Sequence, residues 1–387
     1  MPIPVSQTRP VSQSLPHKVQ EKPSDRPSPK ELENALNEFG HKLVMRASDE
    51  CRVLPHILRL IGKGGEHIVF EDLRYPNYVL KVDFIESLPV LYAQAKDEDA
   101  IEKSVRDLHQ KAKEHGDRIK RLQSYFSSDS VPTELVCVKY LPLNQKIVKS
   151  VLRDRNIEIP KKLVVPESMP VLCTLQHKID LPKKEDRVDL YSSYAELNRT
   201  ISIDNYSEGH RLLAGAHGIG PAEHSSRLKI ILSIYPSLKK MIDLCAQDNL
   251  LKASLADYAK RAMKYSVATN EIIDMAGGGN VMFLKLEHGG WNPFLMDALS
   301  PPELNFDLIR KTAAMIKHEQ DIDVRTKANT LNVINYIRFA NALAIIAQIP
   351  NRLEVRGMTD IPPHGWHNGL IIEKYLDVYT PKKKTDG

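Results

Sequence analysis

Cysteine is scarce in this chain of 387 residues, and its scarcity excludes two common kinds of architecture. The four cysteines are widely spaced and none belongs to a CxxC pair; they are Cys51, Cys137, Cys173 and Cys245. Structural zinc sites and disulfide frameworks use closely spaced or regularly paired cysteines. We therefore expect reduced, buried thiols in a protein of a cytosol-like compartment.

Long apolar runs and a strong charge imbalance are missing as well. No stretch approaches the length of a membrane-spanning helix, and the N-terminus lacks the apolar region of a classical secretory signal. The net charge of +5 arises from 54 basic and 49 acidic residues, an excess too small to indicate nucleic-acid binding. With 42% hydrophobic residues the chain can form a packed core. We expect a cytoplasmic protein without a transmembrane segment.

Composition and periodicity divide the chain into four parts. Residues 1–29 are rich in Pro, Ser, Gln and Lys, which predicts a disordered leader. Residues 30–180 start with a helical extension and continue as strands around one long helix. Residues 181–375 are mostly helical, after a hinge indicated by Pro182, and residues 376–387 form a basic tail that we expect to fray.

These patterns predict an α+β fold. We predict strands over residues 58–61, 66–70, 78–84, 134–141 and 171–176. We predict helices over residues 96–126, 228–244, 250–265, 305–318 and 326–346, with Pro236 dividing the second of them.

A glycine loop joins the first two predicted strands. It consists of Gly62, Lys63, Gly64 and Gly65, and such a loop offers backbone N–H groups to a phosphate. A Walker A loop would require a following helix and a Gly-Lys-Ser/Thr sequence, and neither is present. In the third strand, Lys81 stands among apolar residues.

A second glycine-rich region predicts a β-hairpin whose ends carry polar side chains. Two apolar runs, residues 281–286 and 291–297, are joined by a turn containing Gly289 and Gly290. Asp274 and Asn280 precede the first run, and Asp297 ends the second. Two acids and an amide converging beside glycine-rich backbone suit Mg²⁺ and phosphate.

Each of these features, taken singly, has an ordinary structural interpretation. The glycine loop can be a tight turn, and Lys81 can extend along an apolar surface to reach water. Asp274 and Asn280 can be turn residues, and Asp297 can cap a helix or turn. Their order along the chain favours a shared function.

This order of parts resembles the protein kinase-like superfamily. The resemblance covers about residues 50–350 in arrangement, and three short segments carry it in sequence. The family's glycine loop G-x-G-x-x-G-x-V appears from Gly62 to Val69, with His67 in place of the third glycine. The family's Val-x-Lys appears as Val79-Leu80-Lys81. The resemblance implies a two-lobed fold, with a small antiparallel N-lobe sheet, one long helix and a mostly helical C-lobe.

The resemblance also implies a role for each site residue. Lys81 would hold the phosphates of ATP and pair with a helical glutamate, for which Glu98 is the first choice and Glu102 the second. Asp274 would be the catalytic-loop aspartate that orients an acceptor hydroxyl and takes its proton, while Asn280 and Asp297 would hold Mg²⁺ or Mn²⁺. The other implied nucleotide-binding residues are Gly62, Lys63, Gly64, Gly65, Val69, Gln176 and His177.

Several departures from the family's pattern indicate a divergent or atypical member. Ile272 and Ile273 stand where the family has His and Arg, and the interval from Asp274 to Asn280 is one residue longer. The metal-binding Asp297 is followed by Ala-Leu instead of Phe-Gly, and no Ala-Pro-Glu element is apparent. The first hypothesis is transfer of the γ-phosphate to a hydroxyl of a protein or small molecule. Transfer of AMP and a pseudokinase that acts as a binding module are the alternatives.

Two further regions leave alternatives open. The basic segment 146–162 and three helical residues (Arg118, Lys120 and Arg121) suit an anionic activator, an acidic substrate or an anionic lipid surface, or else form a solvated face. The segment 214–220, with His217, lines a substrate cleft or is a plain loop. The leader, the absent signal and the divergent core resemble kinase-like effectors that intracellular bacteria deliver into host cells by a non-classical route. A cytosolic housekeeping role explains the same features.

Overall fold

Ten strands and seven α-helices lie within the residues that this computed structural model describes. Those residues are 30, 58–63, 67–72, 77–93, 97–141, 149, 152–153, 169–179, 181–191, 196, 212–213, 223–275, 277–287, 289–317, 321–350, 352–356 and 374–379. The chain is therefore α+β, as predicted. The leader 1–29, most of the N-terminal helical extension, most of segment 146–162 and segment 214–220 lie outside the described residues.

The largest sheet has five antiparallel strands in the order β1-β2-β3-β5-β4. They are β1 (Leu58–Lys63), β2 (His67–Asp72), β3 (Tyr78–Asp83), β4 (Glu134–Leu141) and β5 (Met169–His177), and they confirm the five predicted strands. β5 is almost wholly buried because it has neighbours on both sides and cores on both faces.

Alternation along β3 separates an apolar face of the sheet from a polar one. Leu80 and Val82 pack into one core together with residues of β5 such as Cys173 and Leu175. Lys81 therefore lies on the opposite face. Val69 of β2 and Thr174 of β5 are its cross-strand neighbours there.

Helix α1 (Phe84–Ala93) follows β3 directly and was not predicted from the sequence. Because this helix contains Pro89 and its first residues continue the apolar pattern of β3, the sequence does not indicate a helix there. Asp83 starts it as an N-cap, since its carboxylate accepts the Glu86 N–H at 3.0 Å. The Ser87 hydroxyl donates to the Asp83 carbonyl at 2.8 Å and accepts the Leu172 N–H at 3.1 Å. These bonds hold the start of α1 against β5.

Helix α2 (Glu98–Phe126) is 29 residues long and confirms the long predicted helix. Asp97 caps it by accepting the Ala100 N–H at 2.7 Å. Leu108 and Ala112 pack against the sheet in one small core. The last turns enter the largest core of the described chain. A single helix thus packs into two cores.

The helical part contains α3 (His224–Ile234), α4 (Lys239–Gln247), α5 (Asn249–Thr269), α6 (Phe306–Lys317) and α7 (Val324–Ile346). A 3₁₀ turn at Pro236–Leu238 separates α3 from α4, which confirms the division predicted at Pro236. The second half of α7 is buried along its whole length and forms the centre of this part. None of the described helices combines the length and apolar character that crossing a membrane requires.

Two small sheets complete the described structure. β6 (Arg187–Leu190), β7 (Val281–Lys285) and β8 (Trp291–Leu295) form a three-stranded sheet in that order, and β7–β8 is the predicted hairpin. β6 was not predicted, because its four residues include two charges and it pairs with a strand that lies about 90 residues later. β9 (Arg352–Arg356) pairs with β10 (Lys374–Tyr379). The first residues of the tail expected to fray are therefore paired.

Two substitutions of Asp83 distinguish the effect of its charge on stability from the effect of its N-cap hydrogen bond. Burial raises the pKa of Asp83 above its ordinary value of 3.8, against the opposing effects of the Glu86 N–H and of His67. A raised pKa means that the folded state favours the protonated form, so the stability it contributes is lost as the pH rises through that pKa. We expect the melting temperature of Asp83→Asn to rise relative to that of the wild type as the pH increases above the ordinary value of 3.8. Asp83→Ala, the control, also loses the cap, at a cost of about 1 kcal/mol. A difference between the Asn variant and the wild type that shrinks with rising pH would contradict this expectation.

Candidate active site

The two open ends of the β7–β8 hairpin meet, as the sequence predicts. Ile273 forms an antiparallel bridge with Leu299, and the Asp274 N–H donates to the Ala298 carbonyl at 2.8 Å. The hairpin extends in the other direction as well, since the Met296 N–H donates to the Asn280 carbonyl at 2.9 Å. The segments that carry Asp274, Asn280 and Asp297 are thus hydrogen-bonded to one another.

The glycines before Asn280 determine how its side chain is held. The Asn280 N–H donates to the Gly277 carbonyl at 3.4 Å, and Gly279 has a φ of +92°, as at the third position of a type II turn. A Cβ atom on Gly277 would lie 2.9 Å from both Nδ2 and Oδ1 of Asn280. The amide of Asn280 therefore packs directly over the Gly277 backbone.

Strand β2 reaches this hairpin through His67. The His67 Nδ1 atom lies 3.9 Å from Asp297 Oδ2, and its Nε2 atom lies 4.0 Å from Asp83 Oδ2. His67 stands directly opposite Asp83 in the β2–β3 register. The Asp297 side chain is 50% exposed, so it stays accessible from solvent beside this imidazole. The residue that replaces the third glycine thus lies between two carboxylates.

The ion pair of Lys81 differs from the predicted one. Lys81 Nζ lies 3.6 Å from Glu134 Oε1, and the two side chains are 12% and 5% exposed. The other oxygen of Glu134 lies 3.9 Å from His115 Nε2 on α2. The expected pairing with Glu98 or Glu102 is therefore wrong.

The register of α2 explains the difference. Glu98 is exposed in the first turn of the helix, and Glu102 pairs at the surface with Arg106 at 3.1 Å. Counted from Glu98, the helix runs for more than four turns before His115, which contacts the same Glu134 as Lys81. A carboxylate at the start of β4 fills that place instead.

The remaining nucleotide-binding candidates are placed as follows. Val69 lies opposite Lys81 in the register, and Gly62 lies where the β1–β2 pairing shifts. Gly64 and Gly65 lie outside the described residues, and only the backbone of Lys63 is described.

The end of β5 holds the other two candidates. Gln176 is buried on the face of Lys81, and its Oε1 atom has no hydrogen-bond partner among the described residues. The His177 ring packs edge-to-face on Tyr78, with centroids 5.8 Å apart. A buried acceptor without a partner is unfavourable unless a ligand or water supplies a donor.

One of the basic residues on α2 is not available to an anionic partner. Arg118 is buried, whereas Arg121 is exposed and donates a hydrogen bond to Glu271. Lys120 is exposed beside Asp117, at 3.8 Å. Within segment 146–162 the described residues are 149, 152 and 153.

The oxygen ligands at the hairpin suit a hard cation. The described residues contain no group of three or more His, Cys, Asp or Glu side chains placed to hold a metal. Asp274, Asn280 and Asp297 instead provide two carboxylates and an amide. Mg²⁺ commonly binds to one or two carboxylates and completes its shell with water and substrate phosphates. The donor set therefore fits Mg²⁺ bound together with a nucleotide.

Sequence reasoning did not single out Glu134, His115 or Glu271. Glu134 lies 53 positions after Lys81 and begins an ordinary alternating strand. A charged residue at an otherwise apolar position of that strand is the only local signal. The partner of Lys81 becomes apparent only when the strand order is known.

Gly277→Ala tests the packing of Asn280. We expect this variant to lose about 1–3 kcal/mol of unfolding free energy, because its Cβ overlaps the Asn280 amide. Gly278→Ala is the matched control, since a Cβ there meets nothing within 4 Å. Urea unfolding of both variants provides the measurement. Equal midpoints for the two variants would show that the close contact with Asn280 is unimportant.

Comparison with known proteins adds no relative to this picture. No family model, no curated protein and no solved structure matches the chain. The function is therefore inferred from the chain's own residues.

Proposed function

We propose that the protein is an ATP- and Mg²⁺-dependent phosphotransferase with a two-lobed protein kinase-like fold. Its reaction transfers the γ-phosphate to a hydroxyl of a protein or small molecule. The observation that carries the proposal is the meeting of Asp274, Asn280 and Asp297 at one end of a hairpin. His67, on the strand that follows the glycine loop, lies 3.9 Å from the last of these residues.

The arrangement of the sheet supports the same assignment. Five antiparallel strands in the order β1-β2-β3-β5-β4 put Val69 of β2 opposite Lys81 of β3. The chain leaves β5 and enters the helical part through residues 181–191, where the hinge was predicted. The acids come from the helical part and the lysine comes from the sheet. Phosphoryl transfer requires such positioning and charge neutralisation rather than covalent chemistry by the protein.

The residues of the site have distinct tasks in this reaction. Lys81 binds phosphate oxygens, and Glu134 holds its ammonium group in place from the neighbouring strand. Asn280 and Asp297 would hold a Mg²⁺ ion, which would neutralise phosphate charge. Asp274 orients the acceptor hydroxyl and accepts its proton.

The turn around Asn280 bears on whether the lengthened loop can work. A disordered loop would leave the amide without a defined position. Here the turn hydrogen bond and the contact with Gly277 hold the amide, while the Met296 N–H fixes the Asn280 carbonyl. A pre-positioned ligand of this kind favours an active enzyme over a remnant of one.

Transfer of label from ATP tests the proposal directly. We expect label from the γ-phosphate, in the presence of Mg²⁺ or Mn²⁺, to appear on the protein itself or on an added protein acceptor. Asp297→Ala should abolish the transfer. Asp257→Ala is the matched control, because it removes a carboxylate of similar exposure that pairs with Arg261 on α5.

The phosphate of ATP from which the label is transferred distinguishes the alternative functions. Transfer from the α-phosphate would instead indicate AMP transfer. A nucleotide-dependent rise in melting temperature without any transfer would indicate a pseudokinase. The absence of both transfer and thermal shift would contradict a nucleotide site of any kind.

The buried pair of Lys81 and Glu134 gives a second test. Lys81→Met should abolish transfer and lower stability by up to about 3 kcal/mol, because it leaves Glu134 with one ionic partner fewer. Adding Glu134→Gln should restore most of the stability without restoring transfer. Thermal unfolding measures the first effect and label transfer measures the second. Recovery of transfer in the double variant would show that Lys81 does not bind the phosphates.

A further inference from the structure

We infer that the helical turn from His115 to Arg118 positions both halves of the site, and that Arg118 is a positioning residue for the segments carrying Asp274 and Asp297. The inference rests on the proposed function, because only that function makes these two segments part of an active site. The contacts that carry it are independent of that function. These contacts join the buried guanidinium of Arg118 to the two chain segments.

Arg118 binds one partner on each side of the hairpin's open end. Its Nη2 atom donates to the Ser300 carbonyl at 2.6 Å, and its Nε atom lies 3.4 Å from Glu271 Oε2. Ser300 comes three residues after Asp297, and Glu271 comes three residues before Asp274. One side chain therefore holds together the two segments that carry the acids.

Glu271 is held as a carboxylate by several donors. The hydroxyl of Tyr265 and the guanidinium of Arg121 both donate to it. Although burial acts to raise it, these hydrogen bonds and the charges of Arg118 and Arg121 lower the pKa of Glu271 below its ordinary value. Glu271 also forms an isolated bridge with Asn305, close to the start of α6. The anchor that Arg118 uses is thus fixed from several sides.

The same turn of α2 reaches the lysine side of the site. His115 lies three residues before Arg118, so the two side chains project from neighbouring positions on one helical face. His115 Nε2 lies 3.9 Å from Glu134, whose other oxygen holds Lys81. A single helical turn therefore contacts the partner of the lysine and the supports of both acids.

The end of α2 is fixed to the helical part and cannot shift alone. Arg261 of α5 donates to the Tyr125 carbonyl at 3.2 Å. Just after the helix, the Ser130 carbonyl accepts the Leu295 N–H of β8 at 2.7 Å. The helix thus transmits the position of the acids to the lysine as a rigid element.

Substitutions of Arg118 distinguish a role in positioning the two segments from a general contribution to the stability of the protein. The variants are Arg118→Met, which removes the charge and the donors, and Arg118→Lys, which keeps one charged donor group. Arg106→Met is the matched control, because Arg106 lies on the same helix but pairs with Glu102 at the surface. Hydrogen exchange measured by mass spectrometry on residues 271–275 and 296–300 reports the two segments without requiring any activity.

We expect Arg118→Met to speed exchange in both segments together and to lower kcat for phosphate transfer by about 100-fold, the scale of a misplacement near 1 Å. KM for ATP should change much less, since Lys81 stays bound to Glu134. Arg118→Lys should recover part of both effects, and Arg106→Met should match the wild type.

Three outcomes would overturn the inference. The first is wild-type exchange in Arg118→Met, and the second is faster exchange in only one of the two segments. The third is a fall in kcat that Arg106→Met reproduces. If Arg118→Met does not fold, Arg118→Lys and Glu271→Gln carry the same exchange test, and unchanged exchange in both would reject the positioning role. If the wild type transfers no phosphate, the proposed function fails by itself, while the exchange result still decides the role of Arg118.

Discussion

Helix α2 belongs to two hydrophobic cores at once, and the rest of the described structure depends on this. Leu108 and Ala112 pack against the five-stranded sheet, while Ile119, Leu122 and Phe126 pack into the core formed with α5 and α7. At a rise of about 1.5 Å per residue the helix is roughly 44 Å long, long enough to pack into both. The candidate site lies at the level where the helix passes from one core to the other.

Largely buried charges at that level are arranged as pairs of opposite sign. Lys81 faces Glu134, and Arg118 faces Glu271, which the exposed Arg121 also contacts. A buried charge without a partner is strongly destabilising, so each of these groups depends on the elements that deliver its partner. The pairs thereby tie the sheet, α2 and the hairpin to one another. Asp297, by contrast, keeps half of its side chain exposed, which the proposed role as a metal ligand requires.

The source of the lysine's partner has a consequence for the proposed kinase activity. In regulated kinases the lysine pairs with a helical glutamate, so movement of that helix controls the pair. Here the partner of Lys81 comes from β4, within the same sheet, and α2 is anchored at its end to α5 and β8. Control of this site through an outward movement of the helix would require both cores to open. The structure therefore favours an arrangement that is formed permanently.

Local patterns in the sequence predicted most of the secondary structure and part of the site. Periodicity identified the five strands of the large sheet, the long helix and the helices that follow. Four elements were not predicted, namely α1, β6, β9 and β10, and for α1 and β6 the cause is local. Helix α1 contains Pro89 and its first residues continue the apolar pattern of β3, so the sequence does not indicate a helix there. Strand β6, Arg187–Leu190, is too short to show a clear alternation. The glycine turn indicated that Asp274, Asn280 and Asp297 would converge, because hairpin geometry is a local property.

The sequence by itself determined the elements and the ends of the hairpin, because hydrogen-bonded turns and apolar periodicity act over a few residues. Only the tertiary structure decided which acid holds Lys81, that His67 lies between Asp83 and Asp297, and that Arg118 is buried. Each of these depends on strand order or on the level at which α2 crosses the sheet. The partners lie from 16 to about 230 positions apart, and nothing in the local pattern records those distances. The β2–β3 register puts His67 opposite Asp83, the strand order brings Glu134 to Lys81, and the packing of α2 into both cores sets the place of Arg118.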